Sequence, residues 1–310
     1  MDTSPQQADA GPGAFCRDRA IPICASPPLA QTRPRTFDMP AHAVDAHAHV
    51  IGVPPRHPWV PQRAYTPHEA TEAAYLHMLD QTGCAFGVLV QVSVHGQDNA
   101  LMLDTLRAHR ARLRGVVVPS LSLADADYQA MNDAGTVGMR INAMHAGGGI
   151  SFDQLDEYDA LARDWGWHLQ MLIDARQLPE LAPRLAKLHS TLVIDHMGHI
   201  PASSGAHTPG FTTLVDMVRD GAWVKLSGAY RISAAEPPYR ETTAFAQRLV
   251  EAASGRCVWG SDWPHVAHWG TMPGVAQLLD TLALWVPDAA TRNAILTTNA
   301  HALYGFTPHD

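Results

Sequence analysis

Cysteine is scarce. Four thiols, Cys16, Cys24, Cys84 and Cys257, are spread over 310 residues, too few and too scattered for a disulfide framework, and no pair has zinc-knuckle spacing. Cys16 and Cys24 fall in a tail, whereas Cys84 and Cys257 sit beside apolar runs and read as buried thiols. No apolar run approaches the ~18 residues a membrane span needs. The early stretch AIPICASPPLA is cut by proline and offers no secretory core. Lysine and arginine never gather into a block, and the formal net charge is -8, so neither nucleic acid nor membrane is an expected partner. These absences together predict a soluble cytoplasmic protein.

Also missing is a glycine fingerprint after the first apolar strand. DAHAHVIG stands there instead, which counts against a doubly wound dinucleotide fold. No internal repeat is evident.

With 46% hydrophobic residues in 310, the chain can bury one large core or two small ones. Residues 1–40 are rich in Pro, Ala, Gly and Gln without periodicity, which predicts an N-terminal arm, disordered or wrapped over the surface. From residue 41 onward, short apolar runs alternate with helical patterns. The runs are AVDAHAHV (43–50), FGVLVQVS (86–93), GVVVPS (115–120), GMRIN (138–142), HLQMLI (168–173), TLVIDHMG (191–198), AWVKLSG (222–228) and CVWGSD (257–262). They are Val/Ile/Leu-rich and mostly unalternated, as parallel strands covered on both faces should be.

Helices are expected between them. TPHE (66–69) offers Thr66 as N-cap with Glu69 as its capping-box partner, and Gly83 as the stop. SFDQ (151–154) repeats that box, with Gly166 as the stop. Further helices are expected at 98–113, 179–189, 210–220, 239–254, 273–286 and 288–304. Eight strands in roughly 260 residues, with no second composition regime, predict a single-domain α/β protein over 41–310. The expected architecture is a (β/α)8 TIM barrel.

In such a barrel the active site assembles where strands end. Those ends carry Asp45, His47 and His49 (strand 1), Ser93 and His95 (2), Arg140 and Asn142 (4), Asp195, His196 and His199 (6), Lys225 then Arg231 (7), and Ser261 and Asp262 (8). His47 and His49 are two apart and face one side of a strand. With 18 histidines in the chain, about one His-x-His pair is expected by chance, so the pair alone carries little. His47, His49, His196 and Asp262 gathered at one face make a constellation that chance rarely places.

Other residues leave two readings open. Arg140 needs a carboxylate partner, from the protein or from a ligand. Arg231 is a ligand contact or a solvated arginine, and His95 a site residue or loop packing. Lys225 reads as an internal ion pair, and His265 and His268 as loop residues near the entrance. Histidines with an aspartate can also hold a zinc ion, which would activate a bound water.

DAHAHV, DHMG and WGSDWPH, with QVSVHGQDNA, GMRIN and TTNAHALYGF, resemble the amidohydrolase superfamily over residues 43–306. The resemblance is to its amidohydrolase-2 branch and most of all to the 2-pyrone-4,6-dicarboxylate lactonase group. It implies a hydrolase that opens a lactone without an obligatory metal. Asp262 would activate water, and His47, His49 and His196 would polarise the carbonyl. It also implies substrate contacts from Arg140, Arg231, Tyr65, Ser93, His95 and His199. The strand-4 and strand-5 ligands of typical superfamily members are missing, which excludes an ordinary binuclear centre.

Departures from the lactonase pattern stand out. His199 replaces an arginine, His145 and Ala146 replace a basic pair, Leu172 a tyrosine and Ala267 an asparagine. Two arginines kept and two lost imply a small anionic lactone, not the original dicarboxylate. The alternatives are a mononuclear zinc hydrolase or decarboxylase using His47, His49, His196 and Asp262, and a non-catalytic ligand-binding barrel. Oligomeric state is left open.

Overall fold

The computed structural model describes residues 21–27, 31–144 and 152–307. Cys16, His145, Ala146 and Ser151 lie outside the described residues.

Eight parallel strands form one sheet in chain order. They are β1 (Val44–Ala48), β2 (Phe86–Val90), β3 (Leu113–Val117), β4 (Thr136–Asn142), β5 (His168–Leu172), β6 (Leu192–Ile194), β7 (Trp223–Leu226) and β8 (Cys257–Trp259). Every residue of β1, β5, β6, β7 and β8 is buried, because helices cover the outside while side chains fill the inside. Segments just beyond the strands close the barrel. Asp262 N–H donates to the His47 carbonyl and His49 N–H to the Trp263 carbonyl, both at 2.8 Å. The doubly wound alternative, an open sheet, is thereby excluded.

Helices follow the strands as the barrel requires. They are α1 (Glu72–Thr82), α2 (Ala100–Ala108), α3 (Asp125–Ala134), α4 (Leu155–Trp165), α5 (Leu178–Leu185), α6 (Pro209–Arg219), the short α7 (Ala229–Ile232), α8 (Thr243–Ala253), α9 (Val275–Trp285), α10 (Ala289–Leu296) and α11 (Thr298–Tyr304). Gly83 and Gly166 stop α1 and α4 in left-handed conformations, φ 90° and 67°, as the sequence predicts.

The structure corrects several boundaries. Thr66 does not cap α1. Its backbone pairs with the N-terminal arm, and Ala70 pairs with Ile51, so the chain stays extended until Thr71 caps the helix through Ala74 N–H at 3.2 Å. α3 was not expected. The predicted helix at 288–304 is two helices, broken at Thr297, whose backbone (φ −127°, ψ −87°) is not helical. Cys24, placed in a tail by sequence, is buried against the barrel.

Candidate active site

Asp262 is the centre of the site. It lies just beyond β8 in a left-handed conformation, φ 60°, with no exposed surface. Of the eight non-glycine residues with positive φ among those described, six (His196, Met197, His199, Asp262, His265 and Ala267) fall in the loops after β6 and β8. Such conformations cost about 1–3 kcal/mol each and persist where packing imposes them, which is common at functional sites.

The two carboxylate oxygens of Asp262 have different company. Oδ2 accepts from the Tyr230 hydroxyl at 2.7 Å and from Nε of Arg231. Oδ1 has no hydrogen-bond partner. It faces His47 Nε2 at 3.8 Å and His49 Nε2 at 3.7 Å, while His196 Nε2 stands 3.7 Å from Oδ2. Burial alone would raise the Asp262 pKa, but Arg231, then His196 and His49, hold it well below the ordinary carboxylate range. The group is therefore anionic at neutral pH, with one oxygen aimed into the site.

The histidine tautomers follow from their second nitrogens. His49 Nδ1 lies 2.7 Å from the Val90 carbonyl. A carbonyl only accepts, so Nδ1 carries the proton and Nε2 is a bare acceptor. His47 Nδ1 lies 3.3 Å from the Lys225 ammonium, which only donates; with that bond made, His47 Nε2 carries the proton. Asp195 Oδ1 is also 3.3 Å from His47 Nδ1, and with Nδ1 donating there Nε2 is bare, so this ring has a partner in either tautomer. His196 Nδ1 meets the Ser227 hydroxyl at 2.9 Å, which suits either tautomer.

Lys225 sits inside the barrel as the sequence suggests. Its ammonium donates to Gln170 Oε1 at 2.7 Å and the Ala46 carbonyl at 2.9 Å, and stands 3.6 Å from Asp195. Burial lowers its pKa to about 8, against the pull of Asp195. Arg140 resolves both ways. It donates to the Gln91 carbonyl and lies 3.7 Å from Asp195, yet it also lines the cavity. Asp45 acts one layer down, accepting from Ser261 N–H and Oγ–H, both at 2.7 Å, and so fixes the start of the loop that carries Asp262.

A cavity of about 330 Å³, its mouth included, opens above this group. His49, Tyr65, Ser93, Arg140, His196, His199, Arg231 and Asp262 all line it, together with Asn142, Leu172, Val266 and Ala267. His47 lies beneath the floor. His95 stands apart from the wall; its ring bonds Gly52 N–H and the Pro58 carbonyl and braces the loop after β1. Tyr230 was missed by sequence, although it directly precedes Arg231. His265, expected at the entrance, is instead fully buried against the Tyr230 hydroxyl at 3.3 Å.

Gly260 leaves room for His47. A Cβ there would stand 2.7 Å from His47 Cβ and 2.8 Å from its backbone nitrogen. Gly260→Ala should therefore push His47 out of line, lowering turnover and destabilising the fold by about 1–3 kcal/mol. Thermal unfolding beside steady-state kinetics checks this; a wild-type variant on both counts would contradict it.

Burial also sets an acid limit on stability. It lowers His47 and His168 to about 3, helped in both by Lys225, and His265 to about 3. In the unfolded chain each titrates near 6.5. Between about 6.5 and 3 the unfolded chain binds more protons, so stability falls as pH falls, by up to ~1.4 kcal/mol per pH unit for each histidine. Asp45, raised by burial to about 6, opposes the trend below that pH but is one group against three. Tm should fall steadily from about pH 6.5 to about pH 5; a flat Tm would show that these rings are not buried neutral.

With this geometry in hand, comparisons are decisive for the family. The amidohydrolase family model matches residues 44–306. The chain belongs to the amidohydrolase family. It is 34% identical over 281 residues to a 2-pyrone-4,6-dicarboxylate hydrolase of Comamonas testosteroni, covering 86% of this chain and 92% of that protein. It is 32% identical to a 4-sulfomuconolactone hydrolase of Rhizobium radiobacter, covering 92% and 97%. A probable 2-pyrone-4,6-dicarboxylic acid hydrolase of Acinetobacter baumannii, solved with citric acid bound, superposes with a TM-score of 0.77. It is 25% identical and covers 86% of this chain and all of that one. The relatives named here are lactone hydrolases, and this chain is a hydrolase of the same family. No helix among the described residues is long and apolar enough to cross a membrane.

Proposed function

We propose that this amidohydrolase opens a small anionic lactone by adding water, with Asp262 as general base and without an obligatory metal. The observation that carries the reading is the unpartnered Oδ1 of Asp262, aimed between His47 and His49 while Tyr230 and Arg231 hold Oδ2. A water placed there can donate one hydrogen to Oδ1 and the other to the bare Nε2 of His49. Its proton passes to Asp262 as its oxygen attacks the lactone carbonyl. The carbonyl oxygen becomes anionic, and His196 and Arg140 on the cavity wall, with His47 behind them, stabilise that charge. Collapse breaks the ring C–O bond, and Asp262 returns the proton to the leaving oxygen.

Arg231 links binding to chemistry in this scheme. Its Nε serves Asp262 while the side chain also lines the cavity. A substrate carboxylate or sulfonate that engages the guanidinium offsets its charge and so makes Asp262 more basic as the substrate arrives. Arg140 offers a second cation across the cavity, and the relatives named above carry carboxylate or sulfo groups in their substrates' names. Tyr65, Ser93 and His199 complete the proposed substrate contacts. His95 supports them through the loop it braces.

The zinc reading has its own support. His47, His49 and Asp262 have donor atoms within 4.8 Å of one another, as do His47, Asp195 and His196. In number and type these donors fit a divalent ion, held by His47, His49 and Asp262, and such an ion would lower the pKa of a bound water. The surrounding charge favours the metal-free reading. Lys225 shares the second nitrogen of His47 with the Asp195 carboxylate, each at 3.3 Å, which adds a positive charge beside a would-be metal ligand, and Arg231 already occupies the Asp262 carboxylate.

A panel of lactones tests the proposal. Anionic lactones should turn over, and their neutral analogues should have kcat/KM lower by about 10²-fold or more, for loss of the arginine contacts. Activity confined to neutral amides or phosphotriesters would overturn it.

A further inference from the structure

The described part of the N-terminal arm crosses the rim of the cavity and touches two of the loops that wall it. On one side, Thr66 N–H donates to the Pro22 carbonyl at 2.8 Å and Cys24 N–H to the Thr66 carbonyl at 2.9 Å. On the other, Ala25 N–H donates to the His268 carbonyl at 3.3 Å, and Ala267 N–H donates to Cys24 Sγ at 3.3 Å. The His68 ring lies within hydrogen-bond distance of both the Cys24 carbonyl (3.0 Å) and the Ser26 hydroxyl (3.2 Å). Cys24 itself is buried, wedged between the loops.

The tied residues adjoin the cavity wall. Tyr65 precedes Thr66, and Val266 and Ala267 precede His268; all three line the cavity. Further along, the arm is fastened again, because Arg35 N–H, Thr36 N–H and the Thr36 hydroxyl all donate to Asp280 of α9, at 2.8, 2.9 and 2.7 Å. The segment 21–27 is thus a cross-tie between two walls whose own backbones are joined to different strands, β1 and β8. Loops between strands and helices are the mobile parts of a barrel, so a tie across two of them fixes a width that neither loop fixes alone.

We propose that residues 21–27 are a specificity strap, which sets the separation of the Tyr65 wall from the Ala267 wall and hence the largest substrate admitted. Cys24 and Ala25 are its positioning residues. The claim about substrate size rests on the lactone reading; the geometry of the strap does not.

The test uses full-length protein carrying Cys16→Ala, with Ala25→Pro or Cys24→Ala added. Proline removes the N–H bonded to His268, and alanine removes the sulfur bonded to Ala267. Two anionic lactones with the same ring and acid group are compared, one bearing an added phenyl. Both variants should keep kcat on the smaller lactone within about twofold and raise the ratio of kcat/KM, larger over smaller, by about tenfold or more, a normal scale for discrimination by pocket size. An unchanged ratio with a lowered Tm would reduce the strap to a stability element and overturn the proposal.

A thiol reagent reads the strap without turnover. Ala25→Pro should label Cys24 at least about tenfold faster, by local opening, while Cys84 and Cys257 stay protected; equal labelling rates would also overturn it. If the parent opens neither lactone, the lactone reading fails while labelling still judges the strap.

Discussion

Asp262→Asn should lower kcat on an anionic lactone by roughly 10²- to 10⁴-fold while the protein stays folded, the scale of a general base removed from its proton. The amide is the same shape and can still accept from Tyr230 and Arg231 through its oxygen. It then presents its NH2 to the water and takes no proton from it. KM should move less than kcat, because Arg140 remains for the substrate anion and Arg231 is released from its carboxylate. Steady-state kinetics beside a thermal melt separate the effects. Turnover within about tenfold of wild type would remove Asp262 from the role of base.

Lys225→Met should have the largest effect on stability. The ammonium has no exposed surface and serves Gln170, Ala46 and His47 while standing beside Asp195. Methionine fills much of the space but leaves Asp195 with Arg140, 3.7 Å away, as its nearest remaining cation. Removing one member of a buried ion pair costs about 3–5 kcal/mol, which chemical denaturation will read. The same substitution has a second expected consequence. Without the ammonium, His47 Nδ1 can donate to Asp195, and Nε2 becomes a bare donor atom for a metal. The variant should bind Zn²⁺ more tightly than the wild type. Equal zinc affinity would mean that Lys225 does not set the state of His47.

Much of this arrangement is legible in the sequence, for physical reasons. Parallel strands covered on both faces are written as unbroken apolar runs, so all eight are readable, and polar residues at their ends stand out. His49, His196 and Asp262 meet because barrel strands share one direction; no further information is needed. Where long-range contacts decide, local signals fail. Thr66 has a cap's sequence, but the arm takes its backbone. α3 went unread because DADYQAMNDA has few apolar residues, with only Tyr128, Met131 and Ala134 buried. Tyr230 meets Asp262 across 32 residues, and His265 turns inward on a left-handed backbone, φ 65°. Neither contact leaves a spacing to find.

The distinction between a water activated by carboxylate and one activated by metal depends on single protons, on His47 above all. The measurement that tests the account most directly is hydrolysis of an anionic lactone by enzyme stripped with a chelator, with metal content determined on the same sample. The account expects full activity at less than about 0.1 metal ion per chain. Activity lost on stripping and restored by stoichiometric Zn²⁺ would contradict it.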